Sequence, residues 1–137
     1  MHRWSFVVLL ILALAMTVTA HHSVNGTYDS TRPVTIKGTL TRIDWVNPHA
    51  WLFLQVTNEN GQVATVRIEI SGPGNLTRVG IDPNRFQIGK VISVEAWPPR
   101  DPQDSSAPRF AGRTVILDDG QRLDVRDRWG EQFNSLK

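Results

Sequence analysis

Pro33-Val-Thr-Ile-Lys-Gly-Thr-Leu-Thr-Arg-Ile-Asp-Trp45 begins with a regular alternation in which Val34, Ile36, Gly38 and Leu40 share one side. Period-two patterning of this kind marks a strand with one buried face. After Leu40 the apolar positions move to Ile43 and Trp45, and Arg42 and Asp44 take the polar places. A change of parity within one strand predicts a bulge or sharp bend, and Gly38 offers a place for the chain to kink. One long bent strand is what a small barrel needs to join its two halves.

Outward from this strand, Asn47-Pro48 breaks the run and Ala50 to Val56 resumes it, with Leu52, Leu54 and Val56 opposite Trp51, Phe53 and Gln55. Asn58-Glu-Asn-Gly61 is a turn, since Asn and Gly tolerate positive φ. Val63 to Ile70 then alternates again, so residues 50–70 form a hairpin. Ser71-Gly-Pro-Gly is a loop, and Asn75 is expected to cap a short helix over Leu76 to Val79 that ends at Gly80. Val91 to Trp97 reads as a strand. Residues 98–108 form a polar, proline-rich loop with little to bury. Arg113 to Leu117 and Gln121 to Val125 close the pattern as a second hairpin across Asp118-Asp119-Gly120. This order predicts a mainly β fold: a five-stranded Greek-key barrel of the oligonucleotide/oligosaccharide-binding (OB) type with one short helix. A small open sandwich is the alternative.

The chain's start bears on compartment. Met1-His2-Arg3 is a short positive opening, Trp4 to Met16 is almost wholly apolar, and Val18 and Ala20 stand where a signal peptidase reads. Residues 1–20 therefore read as a cleavable secretion signal, because the apolar run is shorter than the ~20 residues a membrane-spanning helix needs. The expected organisation is a signal at 1–20, one β domain at 21–126 and a polar tail at 127–137, in a periplasmic or secreted protein with no membrane span after processing. The whole chain carries 15 Lys and Arg against 13 Asp and Glu. Loss of Arg3 with the signal brings the balance near +1. Arg and Asp alternate, as in Arg122-Leu-Asp-Val-Arg-Asp-Arg128, so nucleic acid is a poor partner on sequence grounds. There is no cysteine, which removes disulfides, a thiol nucleophile and thiolate metal sites together.

Three places carry candidate chemistry. Cleavage after Ala20 would free an α-amine on His21 beside its own imidazole, with His22 next to it. Nitrogen donors of this kind favour Cu(II), Ni(II) or Zn(II), although paired terminal histidines are commonly just solvated. His49, in Trp45-Val-Asn47-Pro-His49-Ala-Trp51, is the one histidine inside the folded body. It serves as a remote third ligand, as a proton carrier, or simply as a residue fixing a corner. Trp45 and Trp51 flank it, and Asn47 and Pro48 shape the turn. Glu69 ends a strand on its polar face, where it reaches a metal, a ligand or only its neighbour Arg67. Trp51 and Phe53 offer either a stacking platform or a second layer of core. No nucleophile elbow or phosphate loop is present.

His21-His22-Ser23, Tyr28-Asp29, Val34-Thr-Ile-Lys-Gly38, Trp45-Val-Asn-Pro-His49 with Trp51, Glu69, Asn75-Leu-Thr-Arg-Val-Gly80, Gly89-Lys-Val91 and Leu117-Asp-Asp-Gly120 follow one another along the chain. With these landmarks the chain resembles an uncharacterised family of small exported bacterial proteins, a domain of unknown function. The Trp-x-Asn-Pro-His element is the most specific part. The resemblance implies a periplasmic location and a compact β fold, and it brings no activity. The loop at 98–108 is longer and richer in Pro and Asp than the family leads one to expect.

Taken together, these features point to a non-catalytic binding or accessory module. It would hold copper or another divalent metal through His21, His22 and His49. The alternative is a barrel that binds a small organic ligand, a glycan or a periplasmic protein partner through Trp45, Asn47, Trp51, Glu69 and the 98–108 loop. An enzymatic role for His49 needs a partner group that the sequence does not identify. The intact mass of the exported protein is expected to correspond to a chain beginning at His21. A start at Ser23 or later would remove both terminal histidines from any site.

Overall fold

The computed structural model describes residues 24–101 and 108–126. The expected signal at residues 1–20, His21, His22, the middle of the 98–108 loop and the expected tail at 127–137 lie outside the described residues. In chain order the elements are α1 (Val24–Thr27), β1 (Val34–Asp44), β2 (Ala50–Thr57), β3 (Val63–Ile70), α2 (Pro73–Arg78), β4 (Val91–Trp97), β5 (Arg109–Ile116) and β6 (Arg122–Asp124). The strands run β3-β2-β1-β4-β5, and a parallel pairing of β3 with β5 closes the ring. β6 is a short addition on the outside of β5. This is the expected closed five-stranded β barrel, not the open sandwich.

β1 serves both halves. Its residues 34–39 pair with β4 and its residues 39–44 with β2, with a bulge between Leu40 and Arg42 where the sequence parity changes. Gly38 stands at the crossover because nothing larger fits. A Cβ there would lie 2.6 Å from the Gln55 carbonyl oxygen, closer than such atoms approach without backbone movement. The barrel interior is filled by the even-numbered side chains of the hairpin, Leu52, Leu54, Val66, Ile68 and Ile70, with Leu40, Val94 and Val115 from the other strands. Their odd-numbered neighbours face outward, as the two-residue period requires.

Two boundaries differ from the sequence expectation. The short helix is Pro73–Arg78 with Gly72 at its N-cap and no side-chain cap bond, so Asn75 lies inside it and does not cap it. Proline's fixed φ suits the first helical position, and the helix then carries the buried Leu76 into the core. β5 begins at Arg109, not Arg113, because Arg109, Phe110 and Ala111 are recruited to pair with Arg67, Ile68 and Glu69. The alternation that would betray this segment is broken by Gly112, where a Cβ would come within 2.7 Å of Ile68 Cγ2.

Substituting Gly38→Ala is expected to destabilise the protein by about 1–3 kcal/mol, the usual cost of forcing extra volume into a packed site. Urea unfolding of the variant beside the parent protein measures it.

Candidate functional site

The outer face of the barrel carries a second, small core. Immediately after α1 the chain crosses this face, and Tyr28 packs against Trp97 and Ala111 with 1% of its surface exposed. Backbone bonds hold the crossing segment to the start of the 98–108 loop. Asp29 N–H donates to the Pro98 carbonyl at 2.9 Å, and Arg100 N–H donates to the Thr27 carbonyl at 3.0 Å. The Asp29 carboxylate accepts from the Thr31 hydroxyl and Arg32, and these bonds hold its pKa down at about 2.

Beneath Tyr28 lies Glu69, only 8% exposed. The Tyr28 hydroxyl donates to Glu69 Oε2 at 2.6 Å, and His49 Nδ1 lies 3.0 Å from Glu69 Oε1. Arg126 completes the surroundings. Its Nη1 is 3.9 Å from Oε1, while Nη2 and Nε donate to the Glu69 and Gly112 carbonyls at 2.6 and 3.0 Å. A buried carboxylate requires such partners, because leaving it bare in a low-dielectric site is costly. Burial, then the hydrogen bond to Glu69 and its negative charge, push the Tyr28 phenol above the ordinary tyrosine range.

His49 is placed by the turn before it. The Asn47–Pro48 peptide is cis, and the turn rests on Gly72, where an added Cβ would collide with the Pro48 carbonyl oxygen and meet Asn47 Oδ1 at 3.7 Å. Trp-Val-Asn-Pro-His and Ser-Gly-Pro-Gly are thus two halves of one tight contact, with Asn47 in a packing position. The His49 side chain remains 42% exposed. The contact with Glu69 needs a proton on Nδ1, which leaves Nε2 as the nitrogen available for chemistry. A histidine held this way suits metal coordination, where a carboxylate behind the ring fixes its orientation, or proton transfer.

The flanking tryptophans do not share a face. Trp45 packs into the main core, 6.3 Å from the Phe86 ring centroid. Trp51 lies outside, registered between Asp44 and Glu69, with the Arg67 guanidinium 5.9 Å from its ring centroid. His21 and His22 belong to the undescribed segment. Among the described residues, no group of three or more His, Asp or Glu side chains is arranged to hold a metal ion. A cavity of about 200 Å³ between Arg85, Lys90, Leu117 and Gln121 shares no residue with the His49 cluster. No described helix is long and apolar enough to cross a membrane.

A family of unknown function, DUF6152, matches residues 9–107. The chain belongs to this family. The match takes in Tyr28, His49 and Glu69 and stops short of Arg126, so three of the four members of the cluster fall within the DUF6152 region. No curated protein matches the sequence.

Sequence reasoning had Glu69 and His49 as separate candidates and missed their link through Tyr28 and Arg126. Tyr28 stood out only as a landmark beside Asp29, and nothing marks Arg126 among the alternating charges of the C-terminal strand. The clearest check uses the chain's single tyrosine. Below its ordinary value of 10.0, the phenol is neutral in both states and its contribution is fully present. Above that pH the unfolded chain ionises first, so stability falls as pH rises toward the folded phenol's own titration. Tyr28→Phe is expected to flatten this alkaline fall. At neutral pH it should cost about 1.5–3 kcal/mol, the range for a hydrogen bond to a charged group. Urea midpoints measured across the alkaline range check both effects.

Proposed function

We propose that this protein is an exported, non-catalytic binding module that holds a divalent metal ion, Cu(II) foremost, on His49 together with the processed N-terminus. The single observation that carries the reading is the His49–Glu69 pair: a half-exposed imidazole whose Nδ1 is tied to a buried carboxylate, which leaves Nε2 as the donor for a metal. His21 precedes Tyr28 by seven residues in the sequence, and Tyr28 bonds to the carboxylate that holds His49. An amine, its own imidazole and a second imidazole form an all-nitrogen donor set that suits Cu(II), Ni(II) or Zn(II).

Calorimetric titration of Cu(II) into processed protein, with its N-terminus verified as His21, is expected to show one ion per chain. His49→Ala should weaken uptake at least about tenfold, within the range found when the support of a metal ligand is disturbed. Placing one glycine before His21, which moves the free amine away from its imidazole, should do the same. Tight stoichiometric binding that persists when His21 and His49 are both alanine would remove these residues from the site.

A further inference from the structure

Strands β4 and β5 meet Tyr28 at one end, where Trp97 pairs with Ala111. At their other end a cavity of about 200 Å³ opens between the Pro83–Arg85 turn, Lys90 and the hairpin turn from Leu117 to Gln121. Its apolar side is the buried Ile92 with Leu117, and both pack on the main core. Two bonds clasp the loops across it. Arg85 Nη2 donates to Gln121 Oε1 at 2.6 Å, and Lys90 Nζ lies 2.9 Å from Asp118 Oδ2. The β4–β5 pairing brings these segments together, and no spacing along the chain reports it.

Lys90 and Asp118 balance one another, whereas the charges of Arg85 and Asp119 are unmatched. Arg85 is half-buried, and its bond to the neutral Gln121 carboxamide uses only part of the guanidinium fork. No carboxylate partners it among the described residues. Asp119 Oδ1 accepts from the Gln121 N–H at 2.9 Å, and among the described residues no cation pairs with this carboxylate. Gln121 therefore touches both, Arg85 through its side chain and Asp119 through its backbone, yet the two do not pair with each other. Asn84 and Gln87 add side-chain carboxamides with no protein partner among the described residues. Each offers both donors and an acceptor.

We propose that this cavity binds a free α-amino acid with a carboxamide side chain, asparagine or glutamine, its carboxylate on Arg85 and its ammonium on Asp119. Such a ligand carries its two opposite charges on one carbon, which suits two unmatched side chains held apart on one residue. A guanidinium takes a carboxylate through parallel hydrogen bonds. The ligand's carboxamide meets its own kind in Asn84 and Gln87, donor to acceptor. A simple anion would face Asp118 and Asp119, and a simple cation would face Arg85 and Lys90. A neutral sugar would leave both charges unmatched and would find no aromatic ring on the lining. The volume lies below the roughly 300 Å³ at which sites for drug-sized ligands begin, so a single small molecule fits.

Calorimetric titration with L-asparagine and with L-glutamine tests this, with EDTA present so that no metal ion bridges ligand and protein. At least one of them is expected to bind once per chain. Its N-acetyl derivative lacks the ammonium, and its decarboxylated amine lacks the carboxylate. Each should bind at least about tenfold more weakly, the size of one lost charge-assisted contact. Arg85→Gln and Asp119→Asn should lose the same factor. Asp119→Asn keeps the oxygen that accepts from Gln121, so it decides the matter if Arg85→Gln does not fold. Arg42→Ala, which removes an exposed arginine outside the cavity, should bind as the parent does. Absence of binding by both amino acids, an N-acetyl derivative that binds as tightly, or parent-like affinity in folded Asp119→Asn would each overturn the proposal.

Discussion

The Glu69 carboxylate is enclosed on the outside of the barrel, where an acidic side chain would ordinarily meet water. Its partners come from parts of the chain with little else in common: the segment before β1, the turn between β1 and β2, and the end of the described chain. Removing any one partner leaves a buried charge less well satisfied, and the penalty for that exceeds what the pair itself contributes. The position of the N-terminal segment, the orientation of His49 and the course of the chain at Arg126 are therefore linked through one side chain.

Two glycines make the same region possible from the backbone side. Gly72 lets the loop after β3 lie against the Asn47–Pro48 turn, and Gly112 lets β5 come close enough to β3 to close the ring. Neither relies on left-handed φ, in contrast to Gly61 and Gly120 in the hairpin turns. What matters at both is space. With the turn seated and the ring closed, Ala111 lies beside Glu69 and opposite Trp97, and Tyr28 has a surface on which to pack.

The elements legible in the sequence are those with local signals. Alternation located β1, its bulge and the hairpin of β2 and β3, and Asn58 and Gly61 marked the turn between them. The parallel β3–β5 pairing was hidden, since Arg109-Phe-Ala-Gly112 reads as neither strand nor turn, and the contact that orders it comes from a remote strand. The candidate site shows the same division. His49 and Glu69 were visible as residue types in suggestive places, yet their adjacency follows from the β2–β3 register, which pairs Trp51 with Glu69 and Ala50 with Ile70. Tyr28 reaches them across the sheet, and no periodicity reports on that.

Closure of the barrel joins residues that are distant along the chain. Arg67 and Arg109 meet across a separation of about forty residues, and β1 meets β4 across a longer one, whereas β2 and β3 are local neighbours. Pairings between remote segments bear the larger loop-closure cost and complete the topology after local ones. The Glu69 cluster draws Tyr28 from before β1 and Arg126 from beyond β6, so a chain stalled at the hairpin stage presents Glu69 and His49 without their companions. Enclosure of that carboxylate is consequently a property of the closed barrel and of nothing smaller.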